Sequence, residues 1–409
     1  MHHLKGISFS NYSDSYYTGA AIKLGAGVQG IEAYEAADAL GLQVVGGECP
    51  TVGLAGGYTQ GGGHSALASK HGLAADQTLE WEVVTGTGEY LVANRQNNSD
   101  LYWALSGGGG GTYGVVLSLT AKAHPDTPTS AMNITFTSEN TTQDEYYEAI
   151  STFHASLPAM VDAGVMSVWY FTNESFAISP ITGPNVTVAQ LKTFLTPLTS
   201  KLDSLSIPYK SYFGQFSGYL EEYNAMQSPI EVGIAQYGGR LIPRSVVEND
   251  NEALTEAYRF INENGAQFIG VGVNVSLAVA SDVDNSVNAG WRTALIDTVI
   301  TTPWNFTAPW QEMLANQNLM TDVLIPKLAA LTPNGSCYLN EGDFQQPDFQ
   351  SVFYGTNYDR LLAIKNQYDP DHLFYATTAV GSEYWEPQPD DGRLCRANAS
   401  AADESGWHR

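Results

Sequence analysis

Residues 46–73, GGECPTVGLAGGYTQGGGHSALASKHGL, constrain this chain more than any other stretch. Glycine stands at Gly46, Gly47, Gly53, Gly56, Gly57, Gly61, Gly62 and Gly63, with Cys49 and Pro50 between them and His64 directly after. Glycine tolerates φ > 0 and lets a backbone approach a ligand with no Cβ in the way, but it costs conformational entropy on folding. A run this dense is therefore read as a surface lying against something large and flat. A Ser/Gly linker is the alternative, and the apolar Val44, Val45, Val52 and Leu54 speak against it. Residues 65–70 predict one short helix stopped by Gly72. Its N-terminus, behind clustered N–H donors, is expected to be an anion site suited to the pyrophosphate or ring of a cofactor.

The length, 409 residues, allows more than one domain and a sizeable core. Asp and Glu outnumber Lys and Arg 43 to 18, a formal charge of -25, which disfavours nucleic acid and anionic membranes as partners. No apolar run approaches the length of a membrane span, and no signal peptide precedes His2. N-glycosylation acceptor patterns nevertheless recur at Asn11, Asn97, Asn133, Asn140, Asn173, Asn185, Asn274, Asn305, Asn334 and Asn398. Their density favours a secreted protein whose leader lies upstream of this sequence. In that setting Cys337 and Cys395 are expected to pair, leaving Cys49 for chemistry. Three reduced thiols in a cytosolic protein are the alternative.

Taken in order, residues 2–9 and 21–28 read as strands, 31–40 as a helix, and 78–85 with 89–93 as a hairpin turning at Gly86, Thr87 and Gly88. Ser99 caps a helix over 100–105, and a strand is expected over 115–124. Between them Gly109, Gly111 and Gly114 match the pattern G-x-G-x-x-G. That fingerprint binds a dinucleotide only where a strand leads into a helix. Here a helix leads into a strand, so a Rossmann reading is rejected. Pro125 to Pro128 marks a boundary. Beyond it strands are expected at 133–137 and 165–171, helices at 145–157, 188–205 and 246–263, and an alternating strand through Val271, Val273, Val275, Leu277 and Val279. Such a pattern predicts an antiparallel sheet with helices on one face. A strand over 337–343 and a helix packing Leu361, Leu362, Ile364 and Tyr368 close the chain.

The segments CPTVGLAGGYTQGGGH at 49–64, GLAAD at 72–76, SGGGGGTYGVV at 106–116, and YLNEGD at 338–343 with YGTNYDRLLAIKNQYDP at 354–370 resemble the berberine bridge enzyme-like oxidoreductases of the vanillyl-alcohol oxidase superfamily. The resemblance implies an α+β fold of three parts. These are a PCMH-type FAD-binding domain lacking its first subdomain (1–128), a substrate domain with an antiparallel sheet flanked by helices (129–334), and a C-terminal segment packing back beside the flavin (335–409). It implies FAD, attached covalently through a thioether from Cys49. The histidine that makes a second flavin bond in this family lies upstream of Met1, and His2 and His3 do not stand in for it. Pro50, Thr51, Val52, Gly53, Gly56, Gly57, Gly61, Gly62, Gly63, Thr112, Gly114, Val116, Asn357 and Tyr358 are expected to contact the cofactor. Leu54 is expected to line the face that admits oxygen.

Flavin oxidation of an alcohol requires a hydride acceptor and a base for the hydroxyl proton. Glu341 is the first candidate base, at a place where related enzymes often carry a tyrosine. His64 is the second, since its titration range suits the task, and Tyr58 and Tyr338 are candidate hydrogen-bonding partners of substrate or flavin. The expected partners are a small-molecule substrate and O2, the expected product H2O2, the expected state a monomer, and no metal is expected. An oxidative cyclase or dehydrogenase of secondary metabolism, or an inactive glycosylated fragment that binds no flavin, are the alternatives.

Overall fold

The computed structural model describes residues 1–227, 235–281, 283–388 and 392–397. A five-stranded antiparallel sheet runs in the order Ile7–Ser13, Thr18–Gly25, Gly114–Lys122, Thr78–Thr85, Tyr90–Asn94. Period-two alternation places Trp81 and Val83 of its central strand in the core, while Glu80 and Glu82 keep contact with solvent on the other face. Leu361 and Leu362 of the helix Tyr358–Tyr368 join the cluster of Trp81, Tyr102 and Leu119, so the C-terminal segment packs back on this sheet. Lys365, fully buried, fastens it there by donating to the Thr112 carbonyl at 2.7 Å, the Phe374 carbonyl at 2.8 Å and the Asp369 carboxylate at 2.5 Å.

A seven-stranded antiparallel sheet follows, in the order Tyr209–Phe216, Thr129–Thr137, Ser175–Pro184, Met166–Phe171, Gln267–Gly272, Ala294–Pro303, Ala235–Pro243. The helices Gln143–Asp162, Val188–Ser204 and Asn251–Glu263 bury their apolar stripes on one face of it, in the largest apolar cluster of the molecule. Ile296 and Ile300 point into that cluster and Thr298 meets Tyr258 there at 2.8 Å. The alternation then aims Asp297 at the opposite face, toward the glycine loops.

Three expected elements differ. The strand expected to run to Val279 ends at Gly272, because the Asn274 N–H leaves the ladder and donates to Ser69 Oγ at 3.0 Å; Leu277–Ala280 is a helical turn. The helix expected over 246–263 is two, Arg244–Asn249 and Asn251–Glu263, broken at Asp250 where φ is -132°. Residues 337–343 form a turn rather than a strand, closed by the Glu341 N–H on the Tyr338 carbonyl at 3.0 Å. The expected Cys337–Cys395 bridge is not formed: Cys337 is buried, Cys395 is exposed, and all three cysteines are unpaired. Asn11, Asn97, Asn140, Asn173, Asn185, Asn305 and Asn334 are exposed, Asn133 and Asn274 half-buried, and Asn398 lies outside the described residues. No helix among the described residues is long and apolar enough to cross a membrane.

The short helix Tyr219–Met226 touches both halves, packing on the strand Thr129–Thr137 and on the helix Gly30–Asp38. Its Glu222 is fully buried, holds only the Thr182 hydroxyl at 2.9 Å, and is pushed by burial to a pKa of about 8. The folded state thus retains a proton that the unfolded chain releases near pH 4.5, and this contribution is lost as pH rises from there to about 8. Glu222→Gln is expected to remove that slope and to raise stability at pH 7 by on the order of 2–3 kcal/mol. Urea unfolding at pH 5 and pH 8 checks it, since the two proteins should differ far more at the higher pH.

Candidate active site

The first glycine loop is held from outside by tyrosines. Tyr34 donates to the Gly47 carbonyl at 2.7 Å and Tyr223 to the Glu48 carbonyl at 2.6 Å, which fixes the backbone just before Cys49. Residues 50–54 are tied to the start of the helix Gly30–Asp38: the Gly30 N–H donates to the Val52 carbonyl at 2.9 Å and the Ile31 N–H to that of Pro50 at 3.1 Å. Gly62 and Gly63 then take φ values of 126° and 77°, a reversal that L side chains resist. A Cβ on Gly63 would lie 2.9 Å from the Tyr58 ring. This reversal sets His64 facing inward. The helix behind it, Ala68–His71, is a single turn, so the anion site expected at its N-terminus has no helix long enough to form it.

The second glycine loop docks on the first. The N–H groups of Gly107 and Gly109 both donate to the Gln60 carbonyl, at 3.0 and 2.9 Å, and a Cβ on Gly110 would lie 2.5 Å from Gly57 Cα. Gly57, Gly110 and Thr112 thus form one wall of a cavity of about 240 Å³, with Asn340, Tyr354 and Thr378 among the residues opposite. Asn340 crosses between the walls, donating to the Gly57 carbonyl at 2.9 Å and to Tyr338 Oη at 2.7 Å.

Beside this cavity His64 Nε2 meets Glu341 Oε1 at 3.0 Å, across 277 residues of sequence, and its Nδ1 lies 3.7 Å from Glu48 Oε1. One Asp297 oxygen lies within 4.8 Å of the ligand atoms of both His64 and Glu341. Burial alone would pull the imidazole down, but Glu341 and Glu48 outweigh it and hold His64 well above its ordinary pKa. Burial, first, and the Glu341 charge, second, push the Asp297 carboxyl well above the usual carboxylate range. Tyr58 and Tyr338 are buried and held up by desolvation, hence neutral phenols; Tyr58 donates to the His64 carbonyl at 2.8 Å.

Among the residues expected to act, His64, Glu341, Tyr58 and Tyr338 come together, and Cys49, half-buried, stands next to Glu48 in the same loop. Gly56, Gly57 and Thr112 face open space or the cavity. Gly114 and Val116 do not: a Cβ on Gly114 would meet Val83 at 2.6 Å, and Val116 belongs to the apolar core. Asn357 is occupied by the Ser286 carbonyl at 3.1 Å, Tyr358 by Glu383 and the Gly381 N–H, and Leu54 is buried in a cluster with Val28 and Tyr34. Sequence reasoning missed Asp297, Glu48 and Asn340. The signal for Asp297 is a single acid inside the β-branched run ALIDTVITT.

The cleft fits a flavin. Nothing lies within 4 Å of where a Cβ on Gly56 or Gly57 would stand, so a flat ring meets bare backbone there. Gln60 Oε1 is a buried acceptor without a partner, which suits the single ring N–H of an oxidised flavin. A family model described as "FAD binding domain" matches residues 4–94, and one described as "Berberine and berberine like" matches residues 337–381. The FAD-linked oxidoreductase ZEB1 of Gibberella zeae is 47% identical over 401 residues, covering 97% of this chain and 70% of that protein. The chain belongs to the berberine bridge enzyme-like FAD-linked oxidoreductases. The FAD-linked oxidoreductase patO of Aspergillus clavatus is 48% identical over 402 residues, covering 98% of the chain and 70% of the relative. The crystal structure of the VAO-type flavoprotein MtVAO615 from Myceliophthora thermophila superposes with a TM-score of 0.90 at 40% identity, covering 97% of this chain and 73% of that one. FAD is accordingly the cofactor, and the fold is that of the VAO-type flavoproteins.

Gly61 tests the junction of loop and turn. A Cβ there would lie 2.5 Å from Asn340 Nδ2. Gly61→Ala is expected to displace Asn340 and with it the turn carrying Glu341, lowering kcat/KM by about 100-fold. Steady-state kinetics check it, with an unchanged circular dichroism spectrum showing that the fold is kept.

Proposed function

We propose that the chain oxidises a C–OH group of a carbohydrate or a small, partly apolar alcohol, with Glu341 as the proton acceptor. The contact between His64 and Glu341 at 3.0 Å, beside the bare backbone of Gly56 and Gly57, carries this reading. FAD, when bound, accepts a hydride at ring N5 and passes the electrons to O2, giving H2O2. The alcohol loses that hydride from carbon and its hydroxyl proton to the Glu341 carboxylate, and C–OH becomes C=O. His64, charged at neutral pH, orients Glu341 and is not itself the base in the resting site. Tyr338, as a neutral phenol, has a hydrogen to donate to a substrate oxygen, whereas that of Tyr58 is held by the His64 carbonyl, and neither accepts the substrate proton.

A second reading, oxidation of a larger secondary metabolite, is supported by the approach to the site. A cavity of about 570 Å³ opens past Asn340 and Gly342 between Tyr237, Trp304, Phe306 and Phe344. Phe306 is 79% exposed, which suits an apolar or ring-shaped substrate. A bifunctional decalin synthase, calF of Penicillium decumbens, is among the relatives, at 42% identity over 408 residues. Attachment of FAD through Cys49 is supported by its half-buried place beside Glu48, and secretion by the exposed glycosylation acceptors.

Glu341→Gln is expected to lower kcat/KM by about 10²–10⁴-fold with the flavin still bound. A peroxide-release assay over a panel of sugars, primary alcohols and hydroxylated polycyclic compounds measures it and separates the two substrate readings. His64→Gln should abolish the alkaline limb of the profile, because the parent loses its charged His64 partner as pH rises through that raised pKa whereas the variant has no such charge to lose. Denaturing precipitation of Cys49→Ala should release flavin that the parent protein retains; equal retention by both excludes the thioether.

A further inference from the structure

We infer that His64, Asp297 and Glu341 form a binding site for one divalent first-row transition ion. The inference deepens the reading of this site but rests on its side-chain geometry, not on turnover. His64 Nε2, an Asp297 oxygen and a Glu341 oxygen all lie within 4.8 Å of one another. Asp297 is fully buried and neither of its oxygens meets a donor, while Glu341 Oε2 is a third buried acceptor without a partner. Two carboxylates this close repel unless a proton or a cation lies between them. The other nitrogen of the ring points to the same conclusion. Nδ1 has no hydrogen-bond partner yet lies 3.7 Å from Glu48 Oε1, the outer-shell carboxylate that commonly orients a metal-ligating histidine.

One imidazole nitrogen with two carboxylate oxygens suits Zn²⁺ or Mn²⁺ rather than Ca²⁺, which takes oxygen ligands. Three protein ligands leave a coordination position open, the arrangement of a site that admits a further oxygen ligand.

Titration calorimetry of the FAD-loaded protein with ZnCl2 and with MnCl2 tests this, with the exposed His2 and His3 replaced by glutamine to remove a chance chelate at the N-terminus. One ion per chain is expected. Asp297→Asn and, independently, His64→Gln should each weaken binding at least tenfold, while Glu252→Gln in the acidic groove between the helices Gln143–Asp162 and Asn251–Glu263 should leave it unchanged. No bound ion, or an affinity indifferent to both site substitutions, overturns the inference. Peroxide release is measured separately: a chelator-treated protein that turns over but loses this activity in Glu341→Gln supports Glu341 as proton acceptor, whereas the calorimetry alone decides the ion site.

Discussion

A single buried carboxylate, Asp76, holds the two sheets in the relation that the site needs. Arg292 grips both of its oxygens, Nη2 at 2.8 Å and Nη1 at 2.9 Å, while the Leu73 N–H and Asn285 Nδ2 complete its shell at 2.9 and 2.7 Å. Leu73 belongs to the glycine loop that carries His64, and Arg292 stands just ahead of the strand that carries Asp297. The fork therefore spans the seam between them. Breaking such a buried pair from one side costs about 3–5 kcal/mol, because the remaining charge is left unpaired. Planar bidentate geometry also fixes orientation, which a lysine in place of Arg292 would not do.

With that seam fixed, the site concentrates negative charge around one imidazole. Glu48, Asp297 and Glu341 come from three distant parts of the chain, and their negative charge holds the His64 imidazole well above its ordinary pKa while burial and Glu341 push Asp297 up. The charge belongs to the local geometry rather than to the acidic surface. A carboxylate held against an imidazole ring at 3.0 Å is fixed in orientation, whatever its partner in the cleft.

The two glycine loops, the rejection of a Rossmann turn and the antiparallel second sheet were legible from residue type and pattern, while the return of the Glu341 segment toward the first glycine loop followed from the motifs that carry the family resemblance. Those features are local or carried by motifs. What stayed hidden depends on pairing between distant strands. The strand Ala294–Pro303 is buried on both faces, so its burial shows no alternation and Asp297 looks like one acid in an apolar run. The valines after Gly272 kept a strand-like period although the backbone turns away to meet Ser69. Glu48 had a visible signal, its place beside Cys49, but its role depends on Tyr223 clamping its carbonyl, a contact 175 residues away.

The separation of 277 residues between His64 and Glu341 has a consequence for how the molecule comes into being. Loop closure over such a distance is entropically costly and is compensated only after both sheets have consolidated. Either half, collapsed early, contains at most one member of the pair. The pair is thus among the later contacts to form, and a chain in which either sheet is misplaced does not bring its two members together.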